Sequence, residues 1–115
     1  MSKIFVFGSN TQGRHGKGAA LYAKNNYGAI YGQSRGRQGN SYAIVTKDIS
    51  TPNSVVLLSD IAKDVEDFIV YAKEHPELSF IITKIGCGLA GFDEYQIAPM
   101  FKSAPINCEL PIGWR

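Results

Sequence analysis

A chain of 115 residues is long enough to close one hydrophobic core and too short for two, so residues 1–115 are expected to form a single domain. With 44% hydrophobic and 19% charged residues the composition excludes a disordered chain, and no apolar run approaches the roughly 18 residues of a membrane span. A net charge of +2 is too small to argue for nucleic-acid binding by bulk electrostatics, although seven of the twelve Lys and Arg lie in the first 47 positions and point to a local basic site.

Met1 leads into one short apolar strand and then glycine and polar residues, not a leader peptide, so a cytoplasmic chain is expected. Lys3 to Phe7 is a β-branched and aromatic run that stops at Gly8 and predicts a buried strand. From Gly16 to Asn26 the alanines and Leu21 favour a helix, which Asn26-Tyr27-Gly28 would stop. A brief strand at Ala29 to Tyr31 and an alternating strand at Ser41 to Thr46 would pair across the polar loop Gln33 to Asn40. Asp48 to Asn53 reads as loop, and Val55 to Leu58 is an apolar stretch too short to assign. Ser59 or Asp60 can cap the next helix, whose Ile61, Val65, Phe68, Ile69 and Ala72 recur at helical spacing until Pro76 forbids continuation. Ser79 to Ile85 is expected to be a central strand. Asp93 to Lys102 would form a helix with Ile97, Met100 and Phe101 inward, unless it starts near Ala98 with Pro99 in its first turn, and Asn107 to Leu110 would add a last strand. This order predicts an α/β fold of three layers, α/β/α, with a mixed central sheet.

Glycine is the unusual count: of 12, eight lie between Gly8 and Gly39 and three between Gly86 and Gly91, so backbone more than side chains is expected to make a site. Phe7-Gly8-Ser9-Asn10 followed by Gly13-Arg14-His15-Gly16-Lys17-Gly18 runs from a strand end through a turn into a helix start. Amides there can approach a phosphate with no Cβ in the way, and a helix N-terminus favours negative charge. The spacing fits neither a dinucleotide fingerprint nor a P-loop, and a tight turn that needs glycine for its geometry alone is the rival explanation. Gly86-Cys87-Gly88-Leu89-Ala90-Gly91 repeats the arrangement after the next buried strand, so parallel strands would turn both loops to one crevice and make a diphosphate cradle.

Cys87 is either a nucleophile, with His15 or His75 as its available partner, or a small packing residue; in a Gly-Cys-Gly turn it is poor context for a bridge to Cys108, and both are read as free thiols. Arg14 and His15 can touch phosphate or assist a leaving group, or be solvated loop residues. Tyr22, Tyr27, Tyr31 and Tyr42 suggest base stacking less than core or rim packing, and Arg35, Arg37 and Lys47 are a solvated loop tip unless they meet an acidic partner or DNA. No metal and no cofactor is expected.

Three blocks, Gly16-Lys17-Gly18-Ala19-Ala20, Tyr42-Ala43-Ile44-Val45-Thr46-Lys47 and Ile85-Gly86-Cys87-Gly88-Leu89-Ala90-Gly91-Phe92-Asp93, together resemble the macro domains. The likeness is to the branch that contains the terminal ADP-ribose protein glycohydrolase and the DNA ADP-ribosyl glycohydrolase antitoxins, and to small macro-like proteins of phages and bacteria. It implies a macro-like fold that binds ADP-ribose, free or carried by a protein or nucleic acid, with no membrane as partner. It implies further that Phe7, Gly8 and Asn10 lie at the ligand, with Asn10 on the distal ribose. Gly13, Arg14, Gly16, Lys17, Gly18 and Ala19 would line that ribose and the phosphates, and Gly86, Cys87, Gly88, Leu89, Ala90, Gly91 and Phe92 would wrap the diphosphate.

Lys47 takes the place of that branch's active-site lysine, as nucleophile or charge stabiliser at the anomeric carbon; its rival role is a solvated cation at a strand end. Where the protein glycohydrolase carries an acid after Gly-Cys-Gly-Leu, this chain has Ala90. Asp93 or Asp48 would have to substitute, and Asp93 serves equally well as a helix cap before Glu94. His15 and Asp93 join Lys47 as the candidate catalytic residues. Two functions follow, an ADP-ribosyl glycohydrolase or a non-catalytic module that sequesters an ADP-ribose-like nucleotide.

Overall fold

The first strand, β1 (Lys3–Asn10), sends Ile4 and Val6 to one face and Phe5 and Phe7 to the other, and all four are buried. A strand buried on both faces has to sit inside a sheet covered on both sides. The computed structural model, which describes residues 3–50, 56–88 and 90–114, places it there. Around β1 the chain builds α1 (Gly18–Asn26), β2 (Gly36–Gln38), β3 (Ser41–Lys47), α2 (Leu58–Glu74), β4 (Ser79–Ile82), α3 (Glu94–Ile97) and β5 (Cys108–Glu109).

The sheet order is β2-β3-β1-β4-β5; β3, β4 and β5 run parallel to their neighbours around β1, and β2 is antiparallel to β3. Strand-to-strand crossovers between parallel strands are right-handed, because a right-twisted strand feeding a helix packs back onto the sheet only that way. The crossover from β1 to β3 steps to one side of β1, while those from β3 to β4 and from β4 to β5 step the other way. Their helices must therefore fall on opposite faces. Accordingly α1 packs Ala20 and Ala23 on Phe5, Phe7 and Ala43, whereas α2, α3 and the 3-10 turn Ala98–Phe101 pack on Ile4, Val6, Ile44 and Phe80. The result is the expected three-layer α/β fold.

α2 owes its position to the stripe Ile61, Val65, Phe68, Ile69 and Ala72, each buried, with Phe68 edge-on to Phe80 at 5.3 Å and to Tyr42 at 5.0 Å. Truncating one of these large side chains would cost about 2–5 kcal/mol in lost transfer energy and cavity. Its N-cap is Leu57, with no side-chain cap, rather than Ser59 or Asp60, and Val55 of the unassigned stretch lies outside the described residues.

Four expectations are corrected. Ala29 to Tyr31 is not a strand, because the Ala29 amide caps α1 through Ala23 O and the Ile30 amide is taken by Gln38 Oε1. The hairpin partner of β3 is instead β2, inside the stretch read as loop. β4 is an interior strand between β1 and β5, as expected, but it ends at Ile82 rather than Ile85. The single helix after Asp93 is instead α3 followed by the 3-10 turn, which starts at Ala98 with Pro99 in its first positions, as the alternative start had it, where a missing N–H costs no bond.

Candidate functional site

The carboxyl ends of β1, β3 and β4 share one edge of the sheet. The chain leaves β1 for α1 on one face and leaves β4 for α3 on the other. The loops therefore part at the boundary between these adjacent strands, which is where open α/β sheets present a crevice. Pairing of β1 with β4 ends at Val6 and Ile82, and Thr83 then spends both its amide and its hydroxyl on Val6 O, at 3.1 and 2.8 Å. Past that point the second glycine loop folds against Gly8. A methyl group on Gly8 would lie 3.0 Å from Thr46 Oγ1, 3.2 Å from Ile85 Cγ2 and 3.5 Å from the Gly86 amide nitrogen. Ile85 and Gly86, at the start of the second glycine loop, thus pack against Gly8 of β1, and the absent side chain is what lets them.

Within the first segment Asn10 works on its own loop. Its Oδ1 accepts from the Gln12 and Arg14 amides at 3.2 and 2.9 Å, and its Nδ2 donates to Arg14 O at 2.9 Å. Gly13 is buried with φ +65°, and a Cβ there would lie 2.5 Å from the Gly32 carbonyl carbon, so the turn requires glycine twice over. His15 is fully buried, not on the rim. Its Nε2 lies 3.1 Å from both Gln33 O and Gln38 Oε1. Gln38 Oε1 also accepts the Ile30 amide, so both His15 partners are acceptors and Nε2 carries the hydrogen. Phe7 is fully buried too, edge-on to the imidazole at 5.2 Å. Both residues hold the loop from behind and present nothing to a ligand.

Arg14, Gly16, Lys17, Gly18 and Ala19 are exposed. Lys17 is the N-cap of α1, and as a cation it offers no acceptor to the first-turn amides; the first turn also holds no acid. The resulting positive end of the helix suits an anion. In the second segment Gly86 is buried, Gly88 and Gly91 are exposed, and Cys87, Ala90 and Phe92 are half-buried, while Leu89 lies outside the described residues. The loop is closed by the Phe92 amide on Gly86 O at 2.8 Å and the Gly91 amide on Gly88 O at 3.0 Å.

Burial pushes the Cys87 thiol up, with the Glu94 carboxylate adding to the effect against Lys84, which is the wrong direction for a nucleophile. His75, stacked on Tyr71 at the end of α2, precedes β4 and so sits at the opposite edge of the sheet from the Cys87 loop. With His15 held by two glutamines, neither histidine is placed to activate the thiol.

Asp93 forms a capping box with Gln96: its side chain takes the Gln96 amide, and Gln96 Oε1 accepts the Asp93 amide at 2.9 Å. Its neighbour Glu94 receives Lys84 Nζ at 3.3 Å and Trp114 Nε1 at 2.9 Å, and these bonds hold its carboxyl below the usual range. Lys47 is exposed at the end of β3, opposite Asn10 in register, where its carbonyl accepts the Thr11 amide at 3.0 Å. Asp48 ties the same corner. Its Oδ1 accepts from Ser50 Oγ, the Ser50 amide and Thr11 Oγ1 at 2.6, 2.9 and 3.2 Å, which holds its carboxyl below the ordinary value.

Sequence reasoning missed Gln33, Gln38, Thr46 and Thr83, which fasten the loops to the sheet. No local pattern marks them, since each acts on a residue far away in the chain. A separate cavity of about 420 Å³ opens beside this corner, lined by Thr11, Asp48, Arg35, Asp60, Lys63 and Asp64, and the glycine loops take no part in it.

No family model matches the chain, and no curated protein matches it. Two solved structures from Bacteroides thetaiotaomicron share its fold. One, a protein of unknown function, superposes with a TM-score of 0.66 at 17% identity, covering 94% of this chain and 85% of that one. The other superposes with a TM-score of 0.64 at 16% identity, covering 95% of this chain and 88% of that one.

Proposed function

We propose that the crevice between the carboxyl ends of β1 and β4 binds the diphosphate of ADP-ribose or a closely related nucleotide. The observation that carries this reading is the packing of Gly86, at the start of the second glycine loop, against Gly8 of β1, at the boundary where the chain turns to opposite faces. The uncapped first turn of α1 and the exposed Gly16, Gly18 and Gly88 supply amides with no side chain over them, while the Gly91 amide closes its own loop on Gly88 O. The resemblance of the three sequence blocks to macro domains points to the same ligand class.

Binding without turnover is the form best supported. Asp93 is committed to its helix cap, Asp48 to its hydroxyl and amide partners, and His15 to the core. Glycohydrolase activity is the second reading, favoured by the exposed Lys47 standing across from Asn10 on the rim.

Calorimetry and thermal melting with ADP-ribose, ADP and ribose 5-phosphate test the binding claim. A ligand at a hundred times its Kd stabilises the native state by about 2.7 kcal/mol. ADP-ribose should raise the melting temperature and ribose 5-phosphate should not; no shift with either diphosphate would end the proposal. Incubation with ADP-ribosylated DNA and protein separates the readings: release that disappears in Lys47→Ala makes the protein an enzyme, and binding without release makes it a binding module.

A further inference from the structure

The second glycine loop is bracketed by Gly86 at φ +77° and Gly91 at φ +82°, a conformation that side-chain-bearing residues rarely adopt. Its backbone bonds stay within the segment. The Cys87 amide goes to Lys84 O at 3.1 Å, the Gly91 amide to Gly88 O at 3.0 Å and the Phe92 amide to Gly86 O at 2.8 Å. These bonds give the loop its shape but do not fasten it to the rest of the molecule. Packing fastens its entry, where Gly86 lies against Gly8. Its exit depends on Phe92, half-buried against the core, and on the first turn of α3, where Glu94 stands.

Glu94 joins three separate parts of the chain. Its Oε2 receives Lys84 Nζ at 3.3 Å, from the residue just ahead of the loop, and its Oε1 receives Trp114 Nε1 at 2.9 Å. The two bonds differ in weight. The side chains of Lys84 and Glu94 are 57% and 49% exposed, and an ion pair in that setting contributes little by itself. Trp114 is only 5% exposed, with its ring centroid 5.7 Å from that of the buried Phe101, and its amide closes a turn on Pro111 O at 3.0 Å. An indole N–H on a buried ring depends on a partner inside the fold, and a bond to a charged acceptor is the stronger kind. Through Trp114 the exit of the loop is therefore hung on the packed core, and through Lys84 its entry is drawn to the same carboxylate.

We propose that Glu94 is a positioning residue for the second glycine loop: by holding Lys84 on one side and Trp114 on the other, it latches both ends of the loop and fixes the loop's amides at the crevice. The latch belongs to the fold and needs no ligand, whereas its service to nucleotide binding rests on the crevice reading above.

The test is amide hydrogen exchange of the full chain, followed by NMR without ligand. The Phe92 amide reports on the loop, because its bond to Gly86 O closes it. Glu94→Ala should speed its exchange about tenfold, the weight of a hydrogen bond to a charged group. Glu94→Gln keeps an acceptor for Trp114 and should restore most of the protection, leaving exchange about two- to threefold faster than in the parent. Trp114→Phe keeps the ring against Phe101, removes the N–H and should speed exchange about fivefold. Combined with Glu94→Ala it should add less than about twofold, since both changes break one bond. Lys24→Gly weakens the fold from α1, on the other face of the sheet, and should leave the Phe92 amide within about twofold of the parent.

A Phe92 amide unmoved by Glu94→Ala overturns the proposal. So does one that responds as strongly to Lys24→Gly, which would make the effect one of global stability, and so does a Glu94→Gln protein as fast as Glu94→Ala. Should Glu94→Ala fail to fold, Glu94→Gln and Trp114→Phe carry the same readout. ADP-ribose titrations separate the latch from the crevice. Where the parent binds, Glu94→Ala should weaken affinity about tenfold and Glu94→Gln should recover most of it; unchanged affinity in Glu94→Ala overturns the positioning role. A parent that binds no ADP-ribose ends the crevice reading alone, and the exchange result stands without it.

Discussion

Replacing Gly8 by alanine probes the contact on which the site is built. Gly8 has no left-handed φ, so an added methyl brings no backbone strain, only crowding. It would press on Thr46 Oγ1 at 3.0 Å and Ile85 Cγ2 at 3.2 Å, both closer than an ordinary van der Waals contact, and stand 3.5 Å from the Gly86 amide. Neither neighbour moves freely: Thr46 is buried and bonded to Ser9 O at 3.3 Å, and Ile85 is buried at 2% exposure. Overpacking of this kind costs about 1–3 kcal/mol. In a domain of this size each kcal/mol lowers the melting temperature by about 3–6 °C. Gly8→Ala should therefore melt roughly 5–15 °C below the parent. It should also lose ADP-ribose binding in the folded fraction, since relief comes by pushing the second loop away from β1. Gly16→Ala is the control, because nothing lies within 4 Å of its added methyl. It should melt within about 2 °C of the parent, as substitutions outside packed regions do. Scanning calorimetry with and without ligand reads both effects. A Gly8→Ala protein with unchanged melting and unchanged binding would refute the claim that the second loop packs on β1 there.

His15→Ala should destabilise by about 2–4 kcal/mol, since it opens a cavity and removes the bonds from Nε2 to Gln33 O and Gln38 Oε1; normal urea unfolding with lost function would instead restore His15 as a catalytic group. Asp48 is held below its ordinary 3.8 by its bonds to Ser50, so its contribution is present above that pH and is lost as pH falls through the lower folded value. Acid melting curves of Asp48→Ala should fall less steeply below pH 4 than those of the parent, and identical slopes would contradict the clamp. Burial, with help from Asp67 and Asp64, raises Tyr42 from 10.0 to about 12, so the stability it lends is full below pH 10 and is lost as pH climbs through that interval. Tyr42→Phe should resist alkaline unfolding better than the parent, as followed by circular dichroism between pH 9 and about 12.

The sequence alone determined those features whose cause lies within a few residues. The period of Ile61, Val65, Phe68 and Ala72 ended by Pro76 announces α2, the β-branched and aromatic runs announce β1 and β3, and the glycine clusters announce where strands turn into loops. Tertiary structure decided what neighbours in the chain cannot. His15 looks like a loop residue until Gln33 and Gln38 close over it, and Asp93 looks equally like an acid and a cap until Gln96 answers it. β2 forms because β3 offers it a partner, not because Gly36-Arg37-Gln38 favours a strand. The handedness of the crossovers sends α1 to one face and α2 and α3 to the other. Periodicity is a property of residues i to i+4, whereas burial, pairing and sidedness are set by residues tens of positions apart, and only the closed fold brings those together.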